Sequence, residues 1–157
     1  MPKRWLGLTV GGDRVVMVDV DVPDEDGPII INADVTVRLP KGSRPAGYAS
    51  VAQEISDYAR EKGISRAVVK GSAVSQQGRP TLAHLESAEL RGVVLSALSS
   101  VCDTETVTKA SISRTFGERK ADDYIADNDF WDERFDGNEL RSGSREAAFC
   151  ILAKCRK

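Results

Sequence analysis

Residues 4–22, Arg4-Trp5-Leu6-Gly7-Leu8-Thr9-Val10-Gly11-Gly12-Asp13-Arg14-Val15-Val16-Met17-Val18-Asp19-Val20-Asp21-Val22, decide the fold. Two β-prone runs flank a Gly-Gly-Asp break, and glycine supplies the positive φ that a tight hairpin turn demands. In the second run Val16, Val18, Val20 and Val22 share one face while Met17, Asp19 and Asp21 share the other. That period of two predicts a half-buried strand. The acidic turn Pro23-Asp24-Glu25-Asp26-Gly27-Pro28 leads to a third strand over 29–39, stopped by Pro40.

Outward from this meander the period changes. Ser50 followed by Gln53 is a capping-box pattern, and Val51, Ile55, Tyr58 and Ala59 recur at helical spacing until Gly63 ends the run. Residues 64–69 form a short apolar run typical of a buried strand. A loop rich in Gly, Ser and Gln over 71–80 precedes a second helical pattern over 81–101, whose stripe includes Leu85, Ala88, Gly92, Leu95 and Leu98. Gly92 costs such a helix about 1 kcal/mol relative to alanine, so its presence predicts close packing against a sheet. Residues 104–110 read as a strand. An acidic stretch over 122–139, opposed only by Arg134, leads to a buried helix over 144–154. The order β-β-β-α-β-α-β-α predicts an α/β fold: one domain over 1–157, with a mixed five-stranded sheet flanked by helices.

The chain has 157 residues, 41% hydrophobic and 29% charged, enough to bury a core without disulfides. With 22 Lys+Arg against 24 Asp+Glu its net charge is −2, so bulk charge does not mark a nucleic-acid binder. No apolar run approaches a bilayer's thickness and no secretory cleavage pattern opens the chain, so a cytoplasmic location without membrane contact is expected. Cys102, Cys150, Cys155 and the single histidine, His84, form no CxxC or Cys/His pattern, which argues against a disulfide scaffold or a zinc site. His84 reads as a surface residue and Cys150 as an inert core thiol; Cys155, whose basic neighbours favour a lowered pKa, reads first as an incidental thiol in a frayed tail. Residues 71–79 lack the lysine spacing of a phosphate-binding P-loop.

Several short strings resemble the RuvC-type Holliday-junction resolvases of the ribonuclease H-like superfamily, and a family of small bacterial RuvC-like proteins. Leu6-Gly7-Leu8-Thr9-Val10-Gly11 stands where that family has L-G-I-D-P-G, and Ala67-Val68-Val69-Lys70 where it has A-I-E. Leu85, Ala88, Arg91 and Gly92 stand for its L-x-x-A-R-G, and Ser144-Arg145-Glu146-Ala147-Ala148-Phe149-Cys150 is the counterpart of D-A-A-D-A-L-A. The resemblance implies a centre of three or four carboxylates around two divalent ions about 4 Å apart, one generating hydroxide and the other stabilising the leaving oxygen. At the implied positions stand Thr9, a neutral and poor ligand, Lys70, a cation, and Glu146. The expectation is a resolvase-like fold whose metal site and catalytic set are lost, with no cofactor and with the Lys70 ammonium standing in for metal beside Glu146.

Three functions follow as expectations. The favoured one is a catalytically degenerate RuvC-like module, a homodimer that binds DNA or scaffolds a DNA-processing or phage-defence assembly. Its nucleic-acid contacts would come from Lys70, Arg79, Arg91, Lys109 and Arg114, within a scattered basic set that also includes Lys3, Arg4, Lys41, Arg44, Arg119, Lys120, Lys154, Arg156 and Lys157. The second is an active Mg²⁺- or Mn²⁺-dependent endonuclease with carboxylates relocated to Asp13, Asp19, Glu86, Glu89 or the acidic stretch. Glu86 and Glu89 share a helical face one turn apart, a spacing that serves either a metal or plain solvation. Asp127, Asp129 and Asp132 lack the spacing and central glycine of an EF-hand. The third is a protein adaptor without nucleic-acid contact, presenting Phe130 and Trp131 among acids to a basic partner.

Overall fold

A computed structural model describes residues 2–72 and 78–155. The meander comes first: β1 (Lys3–Val10), β2 (Arg14–Val22) and β3 (Ile29–Arg38), with β2 antiparallel to both its neighbours. Next come α1 (Arg44–Glu61), β4 (Arg66–Lys70), α2 (Leu82–Ser99) and β5 (Asp103–Val107). The chain then runs through α3 (Lys109–Arg114), α4 (Ala121–Ile125), α5 (Asn128–Arg134), β6 (Phe135–Gly137) and α6 (Ser142–Cys155). The sheet order is β5-β4-β1-β2-β3-β6, with β4, β5 and β6 each parallel to its neighbour. The expected mixed α/β sheet is present, with a sixth strand the sequence reading missed. β6 is only three residues long and lies inside the acidic stretch. Its Gly137 has φ +91°, and a Cβ there would lie 2.6 Å from the Ile31 carbonyl oxygen, so only glycine fits against β3.

Helices cover both faces of the sheet. Leu6, Leu8, Val15, Met17, Val37 and Val69 pack with Val51, Ile55, Leu90 and Val94 of α1 and α2. Trp5, Val18, Val20, Ile31 and Val68 pack on the other face with Phe149, Ile151 and the aromatic residues of α4 and α5. β2 is therefore buried on both faces rather than half-buried. The polar alternation is explained by Asp19, a buried carboxylate that accepts two bonds from Arg4 at 2.8 Å each and one from the Tyr58 hydroxyl at 2.6 Å. Such full satisfaction is what permits a buried charge.

Three further expectations are corrected. α1 starts six residues before Ser50, because Ser43 is the N-cap, its hydroxyl accepting from Ala46 N, and Pro45 suits the first turn. α2 buries Leu90, Val94, Ala97 and Leu98, while Leu85 and Gly92 face outward and a Cβ on Gly92 would meet nothing within 4 Å. The sheet packing inferred from Gly92 does not exist, because the helix carries two apolar patterns and the β-branched and leucine one faces in. Phe130 and Trp131 are buried, the Trp131 indole donating to the Tyr124 carbonyl at 2.9 Å, so they anchor α5 to the core rather than offer a docking surface. No helix of the described residues is long and apolar enough to cross a membrane.

Candidate functional site

The sheet register lays one row of side chains beneath the start of α6. Thr9 pairs with Val16 and Val16 with Thr36, while the parallel β1–β4 pairing of Leu8 with Val69 brings Lys70 alongside Thr9. α6 can lie close over this row because β1 carries Gly7, where an added Cβ would sit 2.2 Å from the Ala147 carbonyl oxygen. The adjacent residue, Glu146, is thereby held over the end of β4. The result is a cleft of about 900 Å³, floored by Thr9, Val16 and Thr36. Arg141, Ser144 and Glu146 wall one side, and His84, Leu85, Ala88 and Arg91 of α2 the other.

The cleft lining holds five cations, Arg14, Arg38, Lys70, Arg91 and Arg141, against one carboxylate, Glu146. The Lys70 ammonium donates to Glu146 Oε1, with the side chains 24% and 37% exposed respectively. Arg141 makes a two-pronged bond to Asp34 at 2.7 and 3.0 Å, and the Ser144 hydroxyl donates to the same carboxylate at 2.7 Å. Burial raises the Asp34 pKa, but the bonds from Arg141 and Ser144 outweigh it and hold the carboxyl below its ordinary value. Arg91 ties the strand ends together, donating to the carbonyls of Lys70 at 3.0 Å and Val10 at 3.2 Å and to the Ser72 hydroxyl at 2.6 Å. Burial pulls its pKa down from a value high enough to leave it charged at neutral pH. Beneath Glu146, burial pushes the Cys150 thiol up to about 12, the Glu146 charge adding to the rise and Lys70 opposing it, which fits an inert core thiol.

A pair of divalent ions does not fit this donor set. Two hard cations need several anionic oxygens around them. The one carboxylate in the cleft is bound to an ammonium, and among the described residues no group of three or more His, Cys, Asp or Glu side chains is placed to hold a metal. The candidate relocated ligands are dispersed. Asp13 is exposed in the turn, Asp19 is enclosed by Arg4 and Tyr58, Glu86 pairs with Arg44 at 2.9 Å, and Glu89 accepts from Tyr48 at 2.9 Å. Asp127 caps α5 and pairs with Arg119 at 3.0 Å.

Of the five basic residues singled out from the sequence, the structure brings Lys70 and Arg91 into the cleft. Arg79 is exposed beside it; Lys109 pairs with Asp122 at 3.1 Å and Arg114 is exposed at the end of α3, neither lining the cleft. The wider basic set does not converge: Arg4, Arg44, Arg119 and Lys154 are each engaged by a carboxylate, and Arg156 and Lys157 lie outside the described residues. The central residues of the 71–79 loop also lie outside them, and Cys155 is half-buried at the end of α6. Sequence reading missed Arg14, Arg38 and Arg141. The hairpin signal could have found the first two, since period two puts Arg14 on the Val16 face and Arg38 on the Thr36 face. His84 is exposed as expected and has a local duty: with Thr81 it forms a reciprocal cap at the start of α2.

No protein-family model matches the chain, and no curated protein matches it in sequence. Solved structures do match. Thermus thermophilus RuvC superposes with a TM-score of 0.75 at 11% identity, over 98% of this chain and 93% of that one. The same organism's RuvC in complex with a Holliday junction substrate gives 0.72 at 9% identity, over 98% and 93%. The yeast mitochondrial Holliday junction resolvase Ydc2 gives 0.64 at 12% identity, over 98% and 78%. At such identities the likeness is one of architecture, and that architecture is clear: the chain has a RuvC-like fold.

Proposed function

We propose that this chain is a single, catalytically degenerate RuvC-like domain that binds the DNA backbone in its cationic cleft without divalent metal, as a cytoplasmic binding or scaffolding module in DNA processing. The observation that carries the reading is the Lys70 ammonium bonded to Glu146 where the resemblance puts metal-binding carboxylates. A cleft with five cations and one carboxylate suits phosphate oxygens and repels metal ions. The solved complex of T. thermophilus RuvC with a Holliday junction substrate supports branched DNA as the form to test.

Titrating a fluorescent four-way junction in EDTA tests the reading. Binding is expected without metal, with log K falling against log salt at a slope of about −2 or steeper, since each neutralised phosphate contributes about −0.9. Mn²⁺-dependent cleavage abolished by Glu146→Gln, or no binding at low salt, overturns it. The reading includes a homodimer formed through α2, supported by Leu82, which is 71% exposed on the helix outside the cleft. Sedimentation is expected to give a dimer for the natural chain and a monomer for Leu82→Glu.

A further inference from the structure

We infer that Arg14 and Arg38 form a fork that grips one phosphate group at the mouth of the cleft, a deeper statement of the DNA-binding reading on which it rests. The two arginines are directly opposite one another in the antiparallel β2–β3 register. Opposed Cβ atoms in such a pair lie roughly 4.5–5.5 Å apart, and like charges placed there destabilise the sheet. Both side chains line the cleft, and both are exposed.

Nothing in the described structure relieves that repulsion. Neither arginine has a carboxylate partner among the described residues, and Asp13 in the adjoining turn pairs with neither. This is not for want of anions, because the chain carries 24 acidic residues for 22 basic ones. Several other arginines do have a carboxylate: Arg4 has Asp19, Arg66 has Glu105, and Arg141 has Asp34. The backbone under the fork is fixed, with Gly11 N donating to the Arg14 carbonyl at 2.8 Å and Leu39 N to the Asp13 carbonyl at 2.7 Å. Two guanidinium groups on one rigid rung can meet several oxygens of one tetrahedral phosphate, and guanidinium is less costly to desolvate than ammonium. An incoming phosphate converts the repulsion between the arginines into attraction to a shared anion. The ligand class is therefore a phosphate oxyanion, here a phosphodiester of the bound strand.

Calorimetry with inorganic pyrophosphate as the probe, against a sodium chloride control of equal ionic strength, reads the fork alone. The natural chain is expected to bind pyrophosphate, and the Arg14→Gln/Arg38→Gln variant to bind it at least tenfold more weakly. In low salt that variant should melt no lower than the natural chain, because a like-charge pair has been removed, and this shows that it is folded. The Arg14→Lys/Arg38→Lys variant keeps the charge without the fork geometry and should fall between the two. Equal pyrophosphate binding by the natural chain and the Gln variant overturns the fork, as does no binding above the chloride control. Titration of the four-way junction in parallel separates the two readings. Junction binding unchanged by the Gln pair sinks the fork and leaves the cleft as the DNA site. Pyrophosphate binding without any junction binding sinks the DNA reading and leaves the fork.

Discussion

Gly7 sets the distance on which the whole cleft depends. Any side chain there meets the Ala147 carbonyl oxygen at 2.2 Å and the Ile151 Cδ1 at 3.0 Å, so α6 rests on bare backbone. Gly7→Ala must push α6 off β1 or distort both, and overpacking of this kind costs about 1–3 kcal/mol. Urea denaturation is expected to show that loss. The two positions beside it test the inferred loss of metal chemistry. Thr9→Asp with Lys70→Glu replaces a hydroxyl and an ammonium by carboxylates next to Glu146. Calorimetry should then detect Mn²⁺ binding in the double variant and none in the natural chain, and no gain in the variant would mean that the register drawn from the resemblance is wrong.

Individual elements differ in how plainly their residues announce them. β1 and β2 were legible because two β-prone runs, the second with alternating valines, flank Gly11-Gly12-Asp13, and α6 because its run from Ala147 to Ala153 is continuously apolar. α1 misled because Ser50 with Gln53 makes a capping-box pattern inside a helix that Ser43 caps seven residues earlier. The structure caps the helix at Ser43, and Gly47 in its first turn leaves room for Leu39, where a Cβ would be 2.8 Å from Leu39 Cδ1. Ser43→Ala should therefore lower stability by about 1 kcal/mol. Ser50→Ala, on the exposed face within the helix, should change it by less than about 0.5 kcal/mol. Equal effects in thermal melts would return the helix start to Ser50. β6 was hidden for a different reason: three residues in an acidic stretch carry no period, and only the edge of β3 makes them a strand.

At the scale of the molecule, a chain of net charge −2 keeps a cationic cleft while cations elsewhere, such as Arg4 and Arg66, pair with carboxylates far away in sequence, as does Arg141 at the cleft wall. That partition was not legible, because the pairs Arg4–Asp19, Arg66–Glu105 and Arg141–Asp34 are made by sheet register and helix placement rather than by neighbouring residues. The last of these links β3 to the residue just before α6, and it ties stability to pH. The Asp34 carboxyl is 11% exposed, and its folded-state pKa lies below the ordinary 3.8. A carboxyl lowered on folding contributes stability that is fully present above its unfolded pKa and is lost as pH falls through the folded value. Asp34→Asn should thus be less stable than the natural chain at pH 7, with the gap closing below about pH 4 as Asp34 takes up its proton. Urea midpoints followed from pH 7 down through the acid range trace the gap as it closes. An unchanged difference would show that Arg141 and Ser144 hold α6 by geometry alone, with no share for the charge.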